Sequence, residues 1–330
     1  MILGADKKSI RIAAKIIKAG GLVAFPTETV YGLGANALNG RAVLKIFKAK
    51  GRPADNPLIV HVGGIEDLGK VAELEIAASE DLLAMTGVLI RKFWPGPLTL
   101  VLPKKKIIPK EVSAGLETVA VRMPDNKVAL DLIREAGVPI AAPSANISGR
   151  PSAVTASQVE KDFGGKIDCI LNGGRARVGL ESTVVDVTVF PPVILRQGAV
   201  TLDDLRAVIP FAKHGGKADY KIAKSPGMKY RHYAPQAPLI LARNVQKEIN
   251  KYRSENIGIL VSRENSDVYT GFKKRVILGL RTDSRECARN LFTALRKFDN
   301  LKVSIIISEI FPERGLGAAV MERLRKAARK

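Results

Sequence analysis

The chain opens on a helical pattern. Ile10, Ala13, Ala14 and Ile17 fall at i, i+3, i+4 and i+7, and Gly20 and Gly21 end the run, which predicts an amphipathic helix with one buried face. Apolar stretches of strand length then alternate with helical periodicity. Strands are predicted over 21–25, 58–62, 98–102, 119–122, 140–142, 169–171, 182–186 and 193–195, and helices over 42–48, 127–135 and 156–163. Proline or glycine flanks most strand ends, as expected of a mixed α/β domain with many loops. The pattern lapses after Ile209. Residues 211–238 have few regular apolar repeats and contain SPGMKYRHYAPQAP, a linker long enough to suggest a job of its own. It then resets, with strands predicted over 239–242, 257–261 and 303–307 and helices over 246–252, 284–298 and 317–328. Strand–helix alternation there predicts a small parallel-sheet α/β domain with Rossmann-like layering. The expected organisation is a first domain over 1–209, a linker over 210–238 and a second domain over 239–330.

A chain of 330 residues, 46% hydrophobic and 26% charged, is long enough for two cored domains and is not disordered in composition. No apolar run approaches the roughly 18 residues of a membrane span, and charges interrupt any signal core near the N-terminus. A cytoplasmic protein is expected. Cys169 and Cys287 have neither metal-ligand nor disulfide spacing, and Cys169 reads as a small buried hydrophobe. The formal charge of +21 is uneven: residues 1–207 carry a net +6 and residues 208–330 a net +15. Such a surface attracts polyanions, so RNA or a nucleotide is a natural partner. A solvated, charge-rich exterior accounts for the same count.

The common catalytic motifs are missing. There is no P-loop, H-E-x-x-H, paired C-x-x-C or G-x-S-x-G, and the only histidines are His61, His214 and His232, which argues against a zinc enzyme. Gly32-Leu-Gly34-Ala-Asn-Ala37 fits a loose dinucleotide fingerprint but follows a polar run, not a buried strand, and reads as chance.

Four segments carry the remaining signal. PTETVYGLGANA (26–37) concentrates hydroxyls before glycines that let a ligand approach the backbone. KAKGRPADNPLIVHV (48–62) sets Lys50 and Arg52 about a glycine, a pairing suited to phosphate oxygens or, alternatively, a solvated basic turn. His61 in that strand reads as a satisfied core residue. PSANISGRPSA (143–153) clusters Ser144, Asn146, Ser148 and Ser152, which suits either self-bonded turns or a nucleotide. NGGRARVGLESTVVD (172–186) leads from Arg175 and Arg177 to Ser182 and Thr183, with Arg196 following in ILRQG.

Taken together, PTETVYGLG, KGRP..NPL..H, PSAN.SG and STVVD resemble the threonylcarbamoyl-AMP synthase family, whose single-domain bacterial members are known as YrdC. The linker SPGMKYRHYAP and the ending GLGAAVMERLRKAA resemble the family's long two-domain form, so the resemblance covers nearly the whole chain. It implies a YrdC-like α/β domain with a twisted mixed or parallel sheet around a basic concave cavity, plus a smaller C-terminal Rossmann-like α/β domain. The implied reaction joins L-threonine, bicarbonate and ATP into L-threonylcarbamoyladenylate and pyrophosphate, the first step of N6-threonylcarbamoyladenosine formation in tRNA. By the same resemblance, Lys50, Arg52, Asn56, Thr118, Ser144, Asn146, Ser152, Arg196 and Tyr233 face ATP, with Lys50 and Arg52 central to catalysis. Thr29, His61, Arg122, Ala142 and Ser182 surround threonine. Mg²⁺ enters with ATP and no protein-ligated metal is expected. A downstream threonylcarbamoyl transferase of the KEOPS type and tRNA are implied partners of a monomer with no membrane attachment. Two departures stand out: Gln197 where the family often has proline, and Glu322 where Asp or Asn is common. The alternative is a non-catalytic RNA-binding module; a hydrogenase-maturation carbamoyltransferase would need cysteine clusters that this chain lacks.

Overall fold

The computed structural model describes residues 1–73, 80–215, 232–253 and 255–329. Most of the expected linker, residues 216–231, lies outside the described residues. The chain groups into two compact units. One is Met1–Ser148, Ala153–Ala176 and Glu181–Lys229; the other is Gly149–Ser152, Arg177–Leu180 and Tyr230–Lys330. Two short segments from the first 209 residues therefore belong with the second unit.

The first unit holds strands β1 Ile2–Leu3, β2 Val23–Phe25, β3 Gly32–Asn36, β4 Ile59–His61, β5 Leu98–Pro103, β6 Thr118–Arg122, β7 Ile140–Ala141, β8 Cys169–Leu171, β9 Thr183–Asp186, β10 Val193–Arg196 and β11 Lys213–His214. They form one sheet in the order β1-β8-β2-β3-β7-β4-β6-β5-β9-β10-β11. The expected mixed sheet is found, and its pairings divide evenly. The β1–β8, β2–β8, β4–β6, β5–β9 and β10–β11 pairs are parallel, while β2–β3, β3–β7, β4–β7, β5–β6 and β9–β10 are antiparallel. Short returns produce the β2–β3 and β9–β10 pairs, because a tight reversal cannot make a parallel neighbour, whereas β7 pairs antiparallel with β3 and β4 from far along the chain.

The opening helix, Lys7–Lys18, buries Ile10, Ala13, Ala14 and Ile17, as its periodicity predicts, and the Asp6 side chain caps it through the Ser9 N–H at 3.0 Å. Strand β3 was hidden by its composition. Its sequence is GLGAN, and glycine is normally poor in strands. Packing demands it here: a Cβ on Gly34 would lie 2.7 Å from Ile140 and from the Phe25 ring.

The second unit carries β12 Leu239–Ala242, β13 Ile257–Val261, β14 Arg275–Ile277 and β15 Ile305–Glu309 in the order β12-β15-β13-β14, all parallel. Val245 and Ile249 of helix Val245–Lys251 cluster with Ile257, Ile259, Val261, Ile305 and Ile307 on one face. The other face receives helix Ser284–Leu301, where Gly258 makes room for Phe298; a Cβ there would meet the ring at 2.6 Å. Helices on both faces of a parallel sheet are the layering expected from the strand–helix alternation. The last strand runs two residues later than predicted.

Candidate functional site

Helix Gly40–Lys50 places the first cation. Asn39 caps its start through the Ala42 N–H at 3.1 Å, and Gly51 ends it in the left-handed region at φ 60°, the usual way to release a helix carbonyl end. Lys50 is thus the last helical residue, only 2% exposed, and its ammonium donates to the backbone carbonyls of Ser144 and Asn146. The Ser148 N–H returns a bond to the Lys50 carbonyl at 2.9 Å. Arg52, also buried, donates from Nη2 to the carbonyls of Asn56 and Pro57, each at 3.2 Å. A solvated basic turn is excluded by this burial. The Ser144 hydroxyl bonds Asn146 Oδ1 at 2.6 Å, and the Asn146 amide donates to the Ile147 carbonyl at 2.8 Å. Asn56 is buried with no hydrogen-bond partner for its Oδ1.

Strand alternation builds the second part. Leu58, Val60, Val62, Leu98, Leu100, Leu102, Val119 and Val121 join the main core on one face of the sheet. The residues between them point the other way. There Ile59, Val101, Ala120 and Val184 form a small separate apolar cluster. Beside it, on the same face, lie His61, Arg122, Thr99, Ser182 and Arg196. His61 and Arg122 are register partners across β4 and β6. The Thr99 and Ser182 hydroxyls meet at 2.7 Å, and Arg196 donates from Nη2 to the Ser182 hydroxyl and from Nε to its carbonyl, both at 3.0 Å. Gly198 presses on this strand start so closely that a Cβ would lie 2.3 Å from the Thr183 nitrogen.

The loop of residues 26–31 ties the two parts together. Its Tyr31 carbonyl accepts the Ala145 N–H at 2.7 Å, and its Thr29 hydroxyl accepts Arg122 Nη1 at 2.9 Å. Thr27 and Thr29 bond each other through their hydroxyls at 2.8 Å. Arg122 Nε donates to the Gly96 carbonyl at 3.1 Å, and Nη2 stands 2.6 Å from Glu28 Oε1 in an ion pair whose side chains are 4% and 2% exposed. That pair is close but not directed: neither Glu28 oxygen nor Arg122 Nη2 has a hydrogen-bond partner among the described residues. A buried polar atom left open in this way costs free energy unless something else fills it.

His61 is not the satisfied core histidine that its apolar strand suggests. It is buried, Phe25 approaches it edge-on at 6.1 Å, and its Nδ1 has no partner. Burial first, and the Arg122 charge second, push its pKa down to about 3. It is neutral near pH 7 and acts there as a dipole, not a cation.

The remaining expected residues divide. Thr118 begins β6, four residues from Arg122 and so on the same face. The Ala142 N–H is committed to the Ile59 carbonyl at 2.9 Å, so any part it plays in binding falls to its own carbonyl. Ser152 and Tyr233 group with the second unit. There the Ser152 carbonyl accepts Arg296 Nε at 3.4 Å, and the Tyr233 ring stacks on Phe292 at 5.3 Å with the Arg323 guanidinium 5.7 Å away. Sequence reasoning missed Glu28 and Thr99. Glu28 had a signal, an isolated carboxylate inside an otherwise uncharged motif; Thr99 in LTLVL had none.

Burying Lys50, Arg52, Arg122 and Arg196 requires carbonyls, hydroxyls and Glu28 to replace their water. The result is a cation-rich, pre-ordered cluster whose positive charge favours an anion. Among the described residues no group of three or more His, Cys, Asp or Glu side chains could hold a metal ion, and no helix is long and apolar enough to cross a membrane.

Known proteins share this sequence and fold. The family described as telomere recombination matches residues 15–198, and the one described as threonylcarbamoyl-AMP synthase, C-terminal domain, matches residues 200–329. The threonylcarbamoyl-AMP synthase of Pyrococcus abyssi is 49% identical, covering 98% of this chain and 95% of that one. That of Bacillus subtilis is 46% identical, covering 99% and 94%. A crystal structure of the Pyrococcus abyssi protein complexed with L-threonine superposes with a TM-score of 0.91 at 46% identity, covering 99% of this chain and 97% of that one.

Proposed function

The chain belongs to the threonylcarbamoyl-AMP synthase family, and on that premise we propose that the polar face of its first sheet joins L-threonine, bicarbonate and ATP into L-threonylcarbamoyladenylate. The observation that carries the reading is the pairing of a buried guanidinium, Arg122, whose Nη2 has no directed hydrogen bond, with a row of neutral polar groups, His61, Thr99, Thr29 and Ser182, beside three more buried cations. Arg122 takes the threonine carboxylate through its undirected Nη2 edge, a planar fork matched to two oxygens. Thr29, His61, Ser182 and the Ala142 carbonyl line the amino acid. Glu28 is the positioning residue that turns Arg122 toward it. Lys50, Arg52, Asn56, Thr118, Ser144, Asn146 and Arg196 take the nucleotide, and Ser152 and Tyr233 are further candidates for it.

The chemistry asks for placement more than for a strong base. The threonine nitrogen attacks the bicarbonate carbon, a C–O bond breaks and the hydroxide leaves as water with a proton from the amine, giving a carbamate. With dissolved carbon dioxide the attack gives the same carbamate and only the amine proton is lost. A carbamate oxygen then attacks the α-phosphorus of ATP, and the bond to the β-phosphate oxygen breaks to release pyrophosphate. Carbamates form readily and revert readily, so the gain lies in holding one beside the phosphate until it is trapped. Lys50, Arg52 and Arg196 offset charge as pyrophosphate leaves. Mg²⁺ arrives on the triphosphate as part of the substrate. The adenylate is then passed to a threonylcarbamoyl transferase of the KEOPS type, with tRNA as final acceptor, and the protein works as a cytoplasmic monomer.

The test is pyrophosphate release from ATP with threonine and bicarbonate omitted in turn. Dependence on both supports the reading. Release without threonine counts against it, and no release under any condition together with salt-sensitive RNA binding favours an RNA-binding module instead.

A further inference from the structure

We propose that the second unit contains a binding site for a ribonucleoside 5′-phosphate, at the carboxyl ends of its four parallel strands. The site is separate from the synthase chemistry; only the use of Lys50 and Arg52 to silence a second AMP site in its test rests on that reading. A cavity of about 350 Å³ opens there, lined by Arg243 after β12, Asn265 and Tyr269 after β13, Arg281 after β14, and Glu309 and Ile310 at the end of β15. The volume is at the small end of ligand sites, suited to a mononucleotide and not a dinucleotide.

Topology explains why a crevice forms. The chain passes from β12 over to β13, runs outward to β14, then returns to insert β15 between β12 and β13. The connection after β12 lies on one face of the sheet, and the helix before β15 packs on the other. The loops therefore part at the β12–β15 boundary, the place where open parallel sheets hold ligands.

The lining supplies the chemistry. Glu309 is only 4% exposed, and its Oε2 accepts the Ser262 N–H and Arg281 Nη1, each at 3.1 Å. Its Oε1 has no hydrogen-bond partner. That buried acceptor is free to take a donor from a ligand. A neutral hydroxyl suits it better than an ammonium, because Arg281 already offsets the carboxylate charge and a second cation would be repelled. Vicinal ribose hydroxyls meet the requirement. Arg243 is exposed at the lip and forms no ion pair among the described residues, so it takes the phosphate, with the half-exposed Arg281 beside it. Tyr269 offers an aromatic wall for the base. The segment after β12 reads Arg243-Asn244-Val245 with no glycine, so the phosphate is held by side chains and not by a backbone cradle.

The experiment titrates AMP into the full chain by calorimetry. In a Lys50→Ala/Arg52→Ala background, AMP still binds at one site, Arg243→Ala weakens it at least about tenfold, and 2′-deoxy-AMP binds about tenfold less tightly than AMP. In the otherwise unaltered chain, Arg243→Ala lowers the AMP stoichiometry from two to one while pyrophosphate release persists, which separates this site from the synthase centre should the double variant fold poorly. Absence of AMP binding at millimolar concentration in a folded double variant overturns the proposal. So does indifference to Arg243→Ala, equal affinity for the deoxy analogue, or displacement of AMP by L-threonine.

Discussion

Replacing Arg122 by alanine leaves the Glu28 carboxyl group without its partner in a place water does not reach. The two side chains are 4% and 2% exposed and 2.6 Å apart, and the change also strips partners from the Thr29 hydroxyl and the Gly96 carbonyl. Breaking a buried pair by removing one partner costs about 3–5 kcal/mol, a large share of the ~5–15 kcal/mol that a domain has. The chain has a single tryptophan, Trp94, buried in the first unit with its indole donating to the Leu98 carbonyl at 2.8 Å. Urea unfolding followed by Trp94 fluorescence therefore reports this unit. The single variant should lose about 3–5 kcal/mol. Glu28→Gln/Arg122→Ala, with both charges gone, should fall short of the sum of the Glu28→Gln and Arg122→Ala losses by at least about 2 kcal/mol as coupling. Lys127→Ala, which removes one side of an exposed pair with Asp131 whose side chains are 85% and 30% exposed, is the control and should cost under about 1 kcal/mol. If Arg122→Ala costs no more than the control, or if the double variant loses the sum of the two singles, the pair is solvated and the argument from burial fails.

Three further outcomes are expected. Between about pH 3, the folded pKa of His61, and about 6.5, its ordinary value, the unfolded chain binds a proton that the folded chain does not. Stability therefore rises with pH through that window and is lost on acidification, at up to about 1.4 kcal/mol per pH unit; His61→Gln should flatten the slope in urea titrations. Lys50→Ala should lower pyrophosphate release by about a hundredfold or more with the far-ultraviolet spectrum unchanged, and wild-type turnover would remove Lys50 from the centre. Gly198→Ala places a methyl within 2.6 Å of the Thr183 nitrogen and of the Ser182 and Glu181 backbone, so it should weaken threonine binding measured by calorimetry even though alanine is a small change.

Much of the architecture was legible because it is local. The strand at 169–171 and the helix at 156–163 lie where apolar periodicity placed them. The site motifs were legible as well, since loops that present hydroxyls and cations are short contiguous strings. Thr118, His61 and Arg122 entered the expected site only through family resemblance; nothing in IVH or TVAVR says that these strands adjoin, which the pairing of β4 with β6 decides. Strand β3 was illegible because its glycines answer to Phe25 and Ile140, one close in sequence and one far.

What the order of residues dictated was therefore everything that depends on near neighbours: the amphipathic helix at the start, the two α/β regions and the cationic loops. Tertiary structure alone decided the half-antiparallel pairing, the choice of Glu28 as the partner of Arg122, the unsatisfied nitrogen of His61, and the gathering of Arg243, Arg281 and Glu309 around one cavity. The physical reason is burial. A charge or polar atom in a string of letters has water as its default partner, and only when distant strands close over it does it become costly enough to require a particular neighbour or ligand.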